Sequence, residues 1–255
     1  MHIEKNDPIV NVNNVRLKYP VKPLMRRSIK NIFLSPFGVT DDPVPEFYEA
    51  LRGISFQIYE GERVGIIGKN GSGKSTILRA IAGIYPIESG DIHVSGKIRG
   101  LYDLTSGFEL EDTGRANIYL RGYLLGSSRA EISAMEEDII DFSGLKDFID
   151  LPLKTYSVGM QVRLAFAIST AIAGDVLLID EILAAGDAEF FSKAQQRMRT
   201  LIQNAQCVIL VSHDLSAIKQ LCSRVLWIDN GLVRMEGPTD EVIDAYLAYL
   251  TTDDS

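Results

Sequence analysis

The sequence predicts an α/β fold with a mostly parallel core sheet, an antiparallel β part and an inserted α-helical subdomain. Three observations carry this reading. From Val176 onward, short β-branched runs alternate with amphipathic helical stretches, the pattern of a parallel sheet covered on both faces. Ile9–Tyr19, Leu51–Gly68 and Ser89–Gly100 instead show period-two alternation bounded by turn residues. Between these parts, residues 104–173 are mostly of helical period.

Each element has its own signal. Ile9–Tyr19 alternates and reads as a strand. A proline-rich insertion over residues 20–46 follows, in which every charged residue from Lys22 to Lys30 is basic. Within it LMRRSIKNIF sets Met25, Ile29, Ile32 and Phe33 on one helical face, an amphipathic helix suited to its own domain, a lipid surface or a membrane partner. Alternation resumes in LRGISFQIYEGERVGIIG, where Glu60-Gly61-Glu62 predicts a hairpin turn and VGIIG a buried strand. SGDIHVSGKIRG predicts a further pair of short strands. After the helical block come strand VLLID, helix FFSKAQQRMRTLIQ, strand CVILVS, helix LSAIKQLC, strand SRVLWID, an Asn230-Gly231 turn, strand LVRMEG and a terminal helix.

Composition narrows the function classes. The chain has 255 residues and a formal net charge of −8, which argues against wrapping nucleic acid through positive charge. Its two cysteines, Cys207 and Cys222, sit in apolar runs and read as small buried hydrophobes rather than a disulfide or zinc framework. The N-terminus lacks the apolar core of a signal peptide, and no apolar stretch is long enough to span a bilayer.

GKNGSGKST, Gly68–Thr76, follows a predicted strand and opens a predicted helix, the context required of a phosphate-binding loop. Gly68, Asn70, Gly71, Ser72 and Gly73 let backbone N–H groups curl around phosphate oxygens, and the helix adds its positive end. Lys74 places an ammonium on the β- and γ-phosphates, Ser75 a hydroxyl on Mg²⁺, and Thr76 a donor at the α-phosphate. VLLIDE ends a buried run in two acids. Asp180 suits Mg²⁺ binding and Glu181 suits a general base for in-line water. His213 follows CVILVS, a strand expected beside the one carrying Asp180, where it can orient that water. Ser157 is well placed as an N-cap in KTYSVGMQVRLA, with Gly159 in the first turn.

Taken in order, GKNGSGKST, YSVGMQVRLAFA, VLLIDE, LAAGD and VSHD resemble the ATP-binding subunits of ABC transporters over nearly the whole chain. The resemblance implies an ATP- and Mg²⁺-dependent hydrolase of the P-loop class that works as a homodimer against polytopic membrane permease subunits. It also implies that Ser157 and Gly159 hold the γ-phosphate of the ATP bound by the other copy, and that Asp187 lies on a loop crossing the dimer interface. YSVGM, ILAAGDAEF, TGRANIYLRG and VSHDLSAIKQLCSRVLWIDNG look like the branch that exports lipid-linked O-antigen, capsule or teichoic-acid chains at the bacterial inner membrane, its cargo handled mainly by the permease. The chain ends soon after its terminal helix, so the form without a C-terminal carbohydrate-binding domain is expected. Exporters of other amphipathic substrates and ABC ATPases uncoupled from transport are the alternatives. One position departs from the family's habit. Leu104, with Asp103 beside it, stands where a glutamine usually senses Mg²⁺. The aromatic that stacks on adenine is expected at Tyr19, with Tyr48 as the alternative.

Overall fold

The computed structural model describes residues 7–20, 47–102, 104–172, 174–180 and 188–253. The expectations placed on residues 21–46, Asp103, Glu181 and Asp187 lie outside them.

Two sheets form the β framework. The first is antiparallel, in the order β2-β1-β4, from β1 (Val10–Pro20), β2 (Phe47–Ile58) and β4 (Ser89–Val94). The second has six strands in the order β5-β6-β7-β3-β8-β9. Its members are β3 (Arg63–Ile67), β5 (Ile98–Leu101), β6 (Val176–Asp180), β7 (Cys207–Val211), β8 (Arg224–Asp229) and β9 (Leu232–Pro238). All neighbours in it are parallel except β8 and β9. Asn230 and Gly231 join those two with φ of 48° and 76°, the paired positive values that an Asn-Gly hairpin turn supplies.

One pairing expectation needs correction. Glu60-Gly61-Glu62 does turn the chain, with Gly61 at φ 84°, but it closes no hairpin. β2 pairs with β1, whereas β3 lies between β7 and β8, and the Gly61 N–H donates to the Gln206 carbonyl at 2.7 Å. The two short strands expected in SGDIHVSGKIRG are both present, and they too lie in different sheets: β4 joins β1 and β5 joins β6. In both cases flanking runs that must bury different faces are drawn into different layers, which turn chemistry alone does not reveal.

The central strands alternate sides with period two, dividing the core. Val64, Ile66, Val176, Leu178, Ile209, Val211, Leu226 and Ile228 face the antiparallel sheet and α1 (Lys74–Ile81). Leu177, Ile179, Val208, Leu210, Val225 and Trp227 face α4 (Val158–Ala171), α5 (Ala188–Asn204), α6 (Leu215–Leu221) and α7 (Thr239–Asp253). Both faces are buried, as a parallel sheet requires. Gly65 on β3 admits α6, because a Cβ there would stand 2.8 Å from the Ile218 side chain.

A third cluster unites α2 (Gly114–Leu124), α3 (Arg129–Ser143) and α4 around Ile118, Ile132, Ile139, Leu164 and Ile168. Ser128 and Glu131 form a reciprocal capping box at the start of α3, and Gly144 ends that helix at φ 64°. Phe142 stacks on Phe166, and both meet Phe190 edge-on, with ring centres 5.6–6.0 Å apart, joining this helical block to the sheet core.

Candidate functional site

Strand register sets the site. Ile66 of β3 lies opposite Val211 of β7, and Val211 lies opposite Asp180 of β6. The C-terminal ends of three adjacent strands are therefore level. The phosphate loop leaves β3, Asp180 ends β6, and His213 follows β7 by two residues. These side chains line one cleft of about 460 Å³ with Tyr19, Tyr48, Asn70, Gly71, Gly73, Lys74, Ser75, Thr76 and Tyr102. That size suits a nucleotide, and the carboxyl edge of a sheet is where open α/β folds bind ligands.

The loop's geometry fits phosphate. Gly68, Gly71 and Gly73 have φ of 149°, 78° and 109°. A Cβ on Gly68 would overlap the Ile228 carbonyl, and one on Gly73 would stand 2.8 Å from that of Ala50. Gly73 precedes α1 without a side-chain cap, so the helix presents open N–H groups. Lys74 is only 6% exposed, and its ammonium donates to the carbonyls of Gly68 at 2.8 Å and Lys69 at 2.9 Å. The Ser72 hydroxyl, in a residue 4% exposed, has no hydrogen-bond partner among the described residues. Ser72 and Gly68 do not line the cleft; the Ser72 hydroxyl lies behind the loop, 2.7 Å from where a Cβ on Gly68 would stand.

Ser75 Oγ donates to Asp180 Oδ1 at 3.2 Å. The two residues offer a hydroxyl and a carboxylate, hard oxygen ligands suited to Mg²⁺. Among the described residues no cluster of three His, Cys, Asp or Glu side chains could hold a metal by itself. A cation here would take its remaining ligands from nucleotide and water, as Mg²⁺ in such sites does.

Tyr19 and Tyr48 are cross-strand partners on β1 and β2 at the cleft's edge. The Tyr19 hydroxyl donates to Thr76 Oγ1 at 3.2 Å, its ring meets Tyr85 edge-on at 5.6 Å, and burial pushes its pKa up. Thr76 keeps its own proton to donate. The Tyr48 hydroxyl donates to the Gly71 carbonyl at 3.1 Å, and Tyr48 is 48% exposed.

Tyr102 was not singled out from sequence. Leu101 pairs with Ile179, which sets Tyr102 level with Asp180, and Gly100 makes room for its ring. The strand neighbour of β5 was the missing information. Leu104 is buried against the sheet core and lines no part of the cleft, and its carbonyl accepts from Arg121.

Ser157 and Gly159 are not brought to this cleft. Ser157 caps α4, its hydroxyl accepting from the Met160 N–H at 3.2 Å. A Cβ on Gly159 would meet nothing nearer than Ser157 Oγ at 3.9 Å, and Val158 is 77% exposed. Packing within this chain therefore does not account for a glycine in the first turn of α4, where it weakens the helix.

The sequence profile of the ABC transporter family matches residues 51–184. The chain belongs to that family. It is an ABC ATP-binding domain, and ATP hydrolysis comes with the fold and family. It is 47% identical over 77% of its length to the O-antigen export system ATP-binding protein RfbB of Myxococcus xanthus, of which it spans 45%. It is 37% identical over 94% of its length to the RfbB protein of Klebsiella pneumoniae, covering 98% of that protein. The teichoic acids export ATP-binding protein TagH of Enterococcus faecalis is 40% identical over 84% of the chain and 47% of its own length. Among solved structures, an ATP-binding subunit of an ABC transporter superposes with a TM-score of 0.69 at 19% identity, covering 93% of each chain. A dimeric ATP-binding cassette in a post-hydrolysis state with ADP and Pi gives a TM-score of 0.65 at 21% identity, over 90% of this chain and 98% of that one. No helix among the described residues is long and apolar enough to cross a membrane.

Proposed function

We propose that this chain is the ATPase subunit that powers export of a lipid-linked cell-surface polysaccharide across the bacterial inner membrane. It would work as a homodimer at the cytoplasmic face, against a separate transmembrane permease. The cleft that gathers Lys74, Ser75, Asp180 and His213 on one sheet edge carries the ATPase reading. The export systems named among the relatives support the cargo.

In this reading the N–H groups of residues 68–76 wrap the phosphates, and Lys74 turns its ammonium to the β- and γ-phosphates. Thr76 donates at the α-phosphate, while the Tyr19–Tyr48 edge flanks the base, with Tyr19 stacking on it. Ser75 and Asp180 would hold Mg²⁺, which neutralises charge on the transferred phosphoryl group. Glu181 takes the proton of the attacking water and His213 orients that water. Ser157 and Gly159 serve the γ-phosphate of the second copy's ATP. Exposed Val158 and the unexplained Gly159 support a segment completed from outside the chain.

A second cleft, lined by Arg79, Arg99, Tyr102 and Arg121 with exposed Ile84 and Leu124, lies between α1 and α2. Arg99 is buried there with Nε and Nη2 unpartnered, and burial lowers its pKa. Arg121 donates to the Leu104 and Ser106 carbonyls and Arg79 to the Tyr85 hydroxyl, so the two unpartnered Arg99 nitrogens and the apolar rim are what this surface would offer to a tip of the permease. Tyr102 lines both clefts, so this surface adjoins the nucleotide.

Glu181→Gln tests the catalytic reading. MgATP binding should persist while turnover falls by about 10²–10⁴-fold, the usual weight of a general base. Hydrolysis near the wild-type rate would overturn the assignment. In bacteria that make the polysaccharide, the same variant should trap lipid-linked chains on the inner side of the membrane. A normal surface coat would overturn the cargo while leaving the ATPase reading intact.

A further inference from the structure

The terminal helix reaches the back of the phosphate loop. Val242, Ile243 and Tyr246 of α7 bury against the sheet, and Trp227 of β8 contacts the rings of Tyr246 at 5.3 Å and Tyr249 at 5.1 Å. Arg234 of β9 lies 4.6 Å from the Trp227 ring and 4.0 Å from that of Tyr249, and donates to the Asp229 carboxylate at 3.0 Å. The Lys69 ammonium stands 5.0 Å from the centre of the same Tyr249 ring. Both cations are within range of a cation–π attraction.

Lys69 is part of the phosphate loop, yet it does not line the nucleotide cleft, whereas its neighbours Asn70 and Gly71 do. Its ammonium stands over a ring of the terminal helix instead. Its carbonyl meanwhile accepts from Lys74 Nζ at 2.9 Å and from the Ser72 N–H at 3.2 Å. The residue that helps aim the Lys74 ammonium is therefore gripped from behind by an aromatic ring some 180 positions later in the chain.

We propose that Tyr249 is a positioning residue for the phosphate loop. Its ring holds the Lys69 side chain, fixes the Lys69 carbonyl, and so sets how tightly the loop and Lys74 receive nucleotide. α7 thereby becomes a determinant of ATP affinity although it touches no part of the cleft. This rests on the reading of Gly68–Thr76 as the ATP site.

The test is MgATP titration of the purified chain by calorimetry, at a temperature where thermal melts show every variant folded. Tyr249→Leu keeps apolar bulk and removes the ring; Lys69→Met keeps length and removes the charge. Each should weaken MgATP binding roughly 3- to 10-fold, the range expected for one cation–π contact. The double variant should be no weaker than the weaker single one, and Tyr249→Phe should bind like wild type. Unchanged affinity in both single variants, additive losses in the double variant, or failure of phenylalanine to restore binding would each overturn the proposal. Failure of the wild-type chain itself to bind MgATP would instead overturn the ATP-site reading.

Discussion

At the residue scale, the loop from Gly68 to Thr76 tolerates an added methyl unequally along its length. Gly68→Ala would drive a methyl into the Ile228 carbonyl at a left-handed φ of 149°. We expect a loss of about 2–4 kcal/mol in denaturant melts, the range for overpacking combined with backbone strain. Gly71→Ala, at φ 78° but with open space around it, should cost only the backbone term of about 1–2 kcal/mol. The contrast separates crowding from conformation in one loop. The meeting of Lys74, Ser75 and Asp180 in one cleft was legible in the sequence, because it needed only the motif and a strand end. Tyr102 was not, because its place in the cleft depends on which strand lies beside β5, and nothing near residue 102 encodes that.

At the element scale, the start of α4 caps its own helix and, in the proposed dimer, faces the second copy's ATP; one substitution can separate the two. Ser157→Ala removes the hydroxyl that accepts from Met160 and should cost about 1 kcal/mol of stability, the usual worth of an N-cap. Ser157→Asp keeps a competent cap and should melt like wild type. It should nevertheless abolish ATP-driven pairing in size-exclusion runs with MgATP, because its carboxylate would face the partner's γ-phosphate. Pairing as strong as wild type would remove this segment from the nucleotide site. Arg99 on β5 offers a test of the opposite sign. Its unpartnered N–H groups are a buried cost, so Arg99→Met should leave the melting temperature unchanged or raised. Permease co-purifying with the chain should fall. The elements themselves were readable from period and turn residues. Their partners were not: β2 and β3 look like arms of one hairpin until each is seen to bury a different face.

At the scale of the whole molecule, one core is shared by three packed clusters, and its most alkali-sensitive members are two thiols. Burial pushes the pKa of both Cys207 and Cys222 up to about 12 from an ordinary 9.0. The folded state thus holds these protons more tightly than the unfolded chain. That stabilisation is complete below about pH 9 and is lost as pH rises toward 12. Equilibrium melts should show stability falling across that window, and Cys207→Ser should change the slope. The same burial makes the native chain chemically quiet. At neutral pH it should resist maleimide until it unfolds, then take up two equivalents, one for each cysteine. A single thiol introduced at the exposed start of α4 would then be the sole reactive handle on the folded protein. The silence of the two natural cysteines makes this a ready scaffold for site-directed crosslinking and distance labels, by which the meeting of two copies across ATP can be watched directly.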